Sequence, residues 1–438
     1  MTDLLDRLLS GRLPDPDGSG MLSVPIRSVV IDRDLAKSAC DLIAPLDFGS
    51  HVFVISDPDT RQAMGESIVA NLQSNLKVSE FVLPHLPHPD MDTVDLILGQ
   101  VTDPSITGVV SVGSGSICDL GKMVSRKLDL PYAVFGTAPS MNAYTSVNAS
   151  ITEHGHKKTL SASAARGVFL DLDVLAAAPR RLIASGFGDS VCRSTTQTDW
   201  LAAHLILGKP YREAPFMLLR DEEDLLVDRA GALIEGDIDA IRVLARTLVF
   251  SGLGMTICGG SDPASQGEHL VAHFIDMLGS SDWPLSYHGE QISVTTLACS
   301  ALQERLYRGG AAPVISANEE TEEDVIAVFG EELGTSCWNS FKGKMLSAEA
   351  AAEANAHLAS DWPEIQLQLN QVMRPVDQIR AALEAVKAPT SPQDIGVPAE
   401  FYKDAIMNSR LIRDRFTCLD FAASAGILGQ VAGEILQT

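Results

Sequence analysis

The chain has 438 residues, 45% of them hydrophobic and 5% aromatic, and a formal net charge of −24. So acidic a balance argues against nucleic acid and anionic membrane surfaces, both of which want Lys/Arg patches. The length allows two domains, each with its own core, and the Ala- and Leu-rich composition favours a helix-rich α/β protein over an all-β sandwich.

The N-terminal MTDLLDRLLSGR carries Asp3, Asp6 and Arg7 and lacks the apolar core of a signal peptide. Strands are expected at Ser28–Ile31, His51–Ser56, Glu80–Leu83, Gly108–Val112 and Tyr132–Gly136. Helical stretches fall between them, at Leu35–Ile43, Thr60–Ser74, Met91–Gln100 and Ile117–Leu128. That alternation predicts βαβ units and a parallel sheet covered by helices. Around Thr145–Leu170 the pattern turns Thr/Ser/Ala-rich, as in a hairpin or edge strands. Beyond Pro179 the strand signal ends, and helical patterns follow, broken at Gly208-Lys209-Pro210, Gly259-Gly260, Gly309-Gly310 and Ser391-Pro392. A domain boundary is expected near residue 180.

The longest apolar stretch, Leu248 to Gly260, is short and rich in glycine, so no membrane span is expected. Seven cysteines (40, 118, 192, 258, 299, 337 and 418) are scattered without C-x-x-C spacing. They read as reduced core thiols of a cytoplasmic protein. The acidic runs Asp221–Asp224 and Glu319–Asp324 read as solvated helix faces.

Three strand ends carry binding chemistry. Strand Gly108–Val112 runs into Gly113-Ser114-Gly115-Ser116-Ile117-Cys118-Asp119 and then a helix, whose first amides and dipole suit a pyrophosphate. The spacing is not G-x-G-x-x-G, and many α/β proteins use such a turn for topology alone. Asp57, after strand His51–Ser56, is placed to take ribose hydroxyls, or equally to cap the helix beginning near Thr60. Thr137-Ala138-Pro139-Ser140 follows the next strand.

Downstream, EHLVAHFIDMLGSSDWPLSYHGE (268–290) holds three of the ten histidines. His269 and His273 share a helical face. Neutral imidazoles and a carboxylate suit a catalytic divalent metal with an open position. The alternative is a helix with two hydrogen-bonded histidines and an unrelated third, His288, in a turn. His51, His85, His88, His204 and His357 lack convergent partners and read as structural or exposed.

These motifs, taken in order, resemble the glycerol-1-phosphate dehydrogenases. That family lies within the superfamily of metal-dependent alcohol dehydrogenases, glycerol dehydrogenase and 3-dehydroquinate synthase. The resemblance rests on Gly113 to Asp119, Thr137 to Ser140, Gly186-Phe187-Gly188-Asp189 and Asp199-Trp200. It continues through Pro263-Ala264-Ser265 before Glu268-His269, His288-Gly289-Glu290-Gln291, Ile412 to Thr417, and Leu419-Asp420. It implies an α/β N-terminal domain (1–180) with a mostly parallel, Rossmann-like sheet that binds NAD or NADP. An all-helical C-terminal domain (181–438) would follow, binding metal and substrate in a dehydroquinate synthase-like architecture.

Carried over, Gly113, Ser114, Gly115, Ser116 and Ile117 would cradle the cofactor's pyrophosphate. Asp57, Asp119, Thr137, Ala138, Pro139, Ser140 and Ser146 would complete its site. Asp189, His269 and His288 would hold one divalent metal, zinc first, with nickel or iron as alternatives. His273 would face the substrate, and the resemblance suggests a homodimer. The implied reaction interconverts a ketose phosphate and a polyol phosphate, with dihydroxyacetone phosphate and sn-glycerol 1-phosphate as the first pair.

One position departs from the family. Where relatives place an Asp that contacts the substrate hydroxyls, this chain has Asn142, which cannot accept a proton as a carboxylate does. That leaves room for another polyol or sugar phosphate, or for a lyase or cyclase of the 3-dehydroquinate synthase type. A non-catalytic metabolite-binding regulator is a further reading, against which the metal triad speaks. Lys157 and Lys158 are phosphate-binding candidates by chemistry alone, and His154 and His156 beside them read as turn residues.

Overall fold

Parallel strands covered on both faces are written as unbroken apolar runs, because neither face meets water. The computed structural model, which describes residues 3–153 and 156–436 with the side chains of 156–158 left aside, bears this out. Beyond a short antiparallel pair, Leu13–Pro14 with Met21–Leu22, the strands are β1 (Ser28–Asp32), β2 (His51–Ser56), β3 (Lys77–Val82), β4 (Gly108–Val112), β5 (Tyr132–Gly136), β6 (Asn148–Glu153), β7 (His156–Ser161) and β8 (Gly167–Asp171). Every residue of β2, β4, β5 and β8 is buried. Six strands form one parallel sheet in the order β1-β8-β5-β4-β2-β3. Val52, Val54, Val110, Val112, Phe135 and Phe169 belong to one apolar core cluster of that sheet.

Four expected strands lie where the pattern put them, and β3 begins three residues earlier than expected. The Thr145–Leu170 stretch supplies the hairpin β6–β7, but it also runs into β8, an interior strand. Val168-Phe169-Leu170 fits an interior position, yet its partner β1 (Ser28 beside Gly167) is too distant in sequence for local pattern to reveal. The tips of β5, β4 and β2, which carry Thr137, Gly113 and Asp57, are neighbours in the sheet.

The helices that matter for the site are α1 (Gly115–Leu128), α2 (Arg180–Val191), α3 (Arg193–Leu207), α4 (Ile238–Cys258), α5 (Gly267–Leu278) and α6 (His288–Tyr307). The breaks read in the sequence are their stops: Gly208 and Gly259 end α3 and α4 in the left-handed conformation glycine tolerates. Helix α4 begins at Asp237, whose side chain accepts the Ala240 amide. By length and composition α4 is apolar enough to cross a membrane, but 72% of its apolar window is buried inside the protein.

By packing, one unit comprises Met1–Ser190 with Glu213–Gly260, and a second comprises Val191–Arg212 with Ser261–Thr438. The border therefore falls later than residue 180, and helix α4 goes with the sheet, not with the other helices. Arg242 donates to the Ile31 carbonyl (2.8 Å), Thr145 Oγ1 to the Val249 carbonyl (2.8 Å) and Thr256 Oγ1 to the Thr145 carbonyl (2.7 Å). The second unit is helical and has its own core, including Leu270, Phe274, Leu302, Trp362 and Phe421. None of the seven cysteines is in a disulfide, and six of them are buried.

Candidate active site

In the first unit, the turn from β4 into α1 is held tightly. A Cβ on Gly113 would stand 2.5 Å from the Ile117 side chain, so only glycine lets the helix start there. A Cβ on Gly115 would meet nothing within 4 Å, leaving the backbone open to a phosphate. Ser114 Oγ lies 2.6 Å from Ser140 Oγ, which joins the glycine turn to the Thr137–Ser140 loop.

Other expected cofactor residues have structural work in view. Asp57 is buried, and its Oδ1 accepts the Thr60 amide (2.8 Å) as a helix cap. Asp119 accepts the Ser150 amide (3.2 Å), tying α1 to the hairpin. Ser146 is one of three partners of the fully buried Lys122, whose ammonium also donates to the carbonyls of Ala143 and Asn148 (3.0 Å). Sequence reasoning missed Lys122, which fixes the loop containing Asn142; its only signal was a lysine inside an otherwise apolar stretch of α1.

That loop meets α2. A Cβ on Gly186 would fall onto the Pro139 carbonyl, so glycine permits the helix to press against the loop. The buried Asp189, one turn on, accepts the Asn142 amide through Oδ2 (3.2 Å), and the Asn142 carboxamide donates to Ser251 Oγ (3.2 Å). Asn142 and Asp189, paired only by resemblance in the sequence, are thus in contact.

In the second unit, three imidazoles converge. The ring centroids of His269 and His288 are 5.2 Å apart, and His273 stands 6.3 Å from His269 and 6.4 Å from His288. His288 is the first residue of α6, and the Tyr287 amide donating to Glu290 Oε2 (2.7 Å) starts that helix. Gln291 donates to Asp276 (3.0 Å) and Ser286 (3.1 Å), pinning α6 beside α5.

Behind His269 lies a carboxylate to which the sequence motif gave no role. Glu268 is fully buried, and its Oε1 is 2.8 Å from His269 Nδ1. The same oxygen accepts the Gln266 amide (2.9 Å) and Thr196 Oγ1 (3.0 Å). Burial pushes the Glu268 carboxyl up, but the His269 hydrogen bond and other donors leave it below the usual range. Cys192, Glu268 and His269 place possible ligand atoms within 4.8 Å of one another. Because Glu268 Oε1 already serves three donors, that trio is better described as a hydrogen-bond network than as a metal site.

The network continues to Asp199, which accepts from the Gly267 amide (3.1 Å), Gln303 Nε2 (2.8 Å) and the Cys418 amide (3.0 Å). Burial, then the charge of Glu268, pushes the Asp199 carboxyl up to about 7. The other histidines behave as expected. His51 bridges Ser79 and Ser105 (2.9 Å each), His88 and His204 make local contacts, His85 lies 3.2 Å from Asp59, and His357 lies 2.8 Å from the Leu205 carbonyl. Lys157, Lys158, His154 and His156 lie outside the described residues or side chains.

Residues 30–179 match the family model described as iron-containing alcohol dehydrogenase. The glycerol-1-phosphate dehydrogenase [NAD(P)+] of Pyrococcus horikoshii is 30% identical over 276 residues, spanning 63% of this chain and 78% of the relative. The enzyme of that name from Bacillus subtilis is 28% identical over 294 residues, 66% of this chain and 74% of the relative. In structure, the chain is similar to glycerol dehydrogenase from Schizosaccharomyces pombe (TM-score 0.63, 16% identity, covering 94% of this chain and 91% of that one). It is likewise similar to the NADH-dependent butanol dehydrogenase A of Thermotoga maritima (TM-score 0.62, 15% identity, covering 94% and 98%). The parallel sheet, the helical second part and the aligned relatives agree: the chain belongs to the glycerol-1-phosphate dehydrogenase family, within the iron-containing alcohol dehydrogenase-like oxidoreductases.

Proposed function

We propose that the protein is a metal-dependent, NAD(P)-linked reductase of a small ketose phosphate, interconverting dihydroxyacetone phosphate and sn-glycerol 1-phosphate. The observation that carries the reading is the His269–His288 pair, 5.2 Å apart, with Glu268 on Nδ1 of His269. An ionised carboxylate accepts from Nδ1–H, so Nε2 of that ring is the nitrogen that can face a cation. Asp189 is the carboxylate we infer to complete the set. Two imidazoles and a carboxylate accept zinc, nickel or iron.

Held by Asp189, His269 and His288, a divalent ion would lower the alcohol's pKa and polarise the carbonyl, and NAD(P) would supply or take up the hydride. The protein's own residues do the rest. The open backbone at Gly115 and the Ser114–Ser140 contact are suited to the cofactor's pyrophosphate. Asp57, at the tip of β2, remains the residue proposed for the adenosine ribose. His273, beside the two ligand imidazoles, is placed to exchange a proton with the substrate oxygen. That duty falls to it because Asn142 offers hydrogen bonds and no basic carboxylate. A homodimer is the assembly we propose.

The test follows the near-ultraviolet absorbance of NADH or NADPH with dihydroxyacetone phosphate, after loading with zinc, nickel or iron. Cofactor oxidation that depends on both metal and ketone supports the reading. No oxidation with any of the three metals overturns the substrate.

A further inference from the structure

The segment Ser409 to Thr417 carries three arginines, and two of them are spoken for. Arg410 pairs with Glu320. Arg415 donates to the Ser265 carbonyl and to Ser261 Oγ (2.9 Å), and lies 3.3 Å from Asp262. The Arg415 contacts fasten the segment against Ser261–Gln266, the stretch leading into α5 and its imidazoles. Arg413 lies between them in extended backbone (φ −139°, ψ 171°). It is half-buried, and among the described residues it makes no hydrogen bond or ion pair. None of its nitrogens is among the sealed, unpartnered atoms, so the guanidinium is still reachable.

A cation in that position costs stability. Burial first, then the neighbouring Arg415, pushes Arg413 down to about 10, with Asp414 and Asp262 only partly opposing. Half-buried charge without a counter-ion is retained where a ligand supplies one. A guanidinium presents a planar fork that matches phosphate oxygens. In a chain of net charge −24, an anionic substrate also needs a local positive group, because the overall field repels it.

We propose that Arg413 recognises the phosphate group of the substrate, selecting a phosphorylated ketone or polyol over its unphosphorylated counterpart. This rests on the reading that the substrate is a small ketose phosphate. It assigns the phosphate to the second unit, and not to Lys157 or Lys158.

Two measurements test it on the metal-loaded, full-length protein. The first is kcat/KM for dihydroxyacetone phosphate relative to dihydroxyacetone, with NADH and with NADPH. Arg413→Ala should lower that ratio by about 10- to 100-fold, the range for losing charge-assisted hydrogen bonds, and Arg413→Lys should restore part of it. An unchanged ratio overturns the proposal. So does a loss confined to NADPH, which would assign Arg413 to the cofactor's phosphate. The second is calorimetry with inorganic phosphate, which needs no turnover: wild type should bind it about 10- to 100-fold more tightly than Arg413→Ala. If wild type fails to reduce dihydroxyacetone phosphate, the proposed reaction falls, while the phosphate titration still decides the site. Should Arg413→Ala not fold, Arg413→Gln, which keeps length and polarity, serves in both measurements.

Discussion

Imidazole presents a defined nitrogen to a cation when its other nitrogen is held, and in this protein Glu268 does the holding for His269. Glu268→Gln keeps an acceptor on Nδ1 but loses the charge, and Glu268→Ala loses both. Metal affinity should fall roughly tenfold in the first and roughly a hundredfold in the second, read by competition with a chromogenic chelator. Equal affinity in all three proteins would remove Glu268 from the site. The shared face of His269 and His273 was legible from the chain, since residues four apart meet on a helix, whereas His288 joined them only by resemblance. Glu268 was not, because adjacent helical residues do not face one another in regular geometry. The contact exists because it sits in the first turn of α5, where the carboxylate is gathered in by Gln266, Thr195 and Thr196. Asn142 was legible only by resemblance, for nothing in local pattern brings it to Asp189 and Ser251.

At the scale of elements, the β4 turn and α2 depend on close approach. The loop Thr137–Ser140 is trapped between Ser114 and Gly186. Gly186→Ala would drive a methyl group into the Pro139 carbonyl, displacing either loop or helix. We expect about 1–3 kcal/mol of destabilisation, the usual range for overpacking, seen as a lower thermal midpoint. Little change would mean that the loop yields easily. Strands β2, β4 and β5 could be read to the residue because buried parallel strands are written as continuous apolar runs. Strand β8 was mistaken for part of a hairpin region, since its neighbours in space are remote in sequence. The regrouping of α4 escaped notice for the same reason: helical periodicity says which face is buried but not against what.

For the molecule as a whole, acidity and burial combine in a pH dependence. Asp199 titrates near 7 in the folded protein, against about 3.9 when unfolded. The folded state therefore holds that proton more tightly, and stability falls as pH rises from about 4 towards 7. Asp199→Asn cannot ionise. Wild type should lose stability relative to this variant between about pH 4 and about pH 7, measured by urea unfolding with matched slopes. A difference independent of pH would show that Asp199 is ionised throughout. Asp199 was quoted in the sequence only as part of a motif; its burial beside Glu268 is a product of tertiary packing.

The return of Glu213–Gly260 to the sheet-bearing unit has a consequence for how the chain is made. A ribosome delivers β1 long before β8, the strand it pairs with, and delivers α4 only after Val191–Arg212 of the other unit has emerged. The first unit cannot close until residue 260 is out of the exit tunnel, so its apolar surfaces wait through some two hundred residues of synthesis after β1 appears. A nascent chain built this way depends on whatever shields those surfaces in the interval, and shortening it at the apparent end of the α/β pattern would remove the helix that completes the fold.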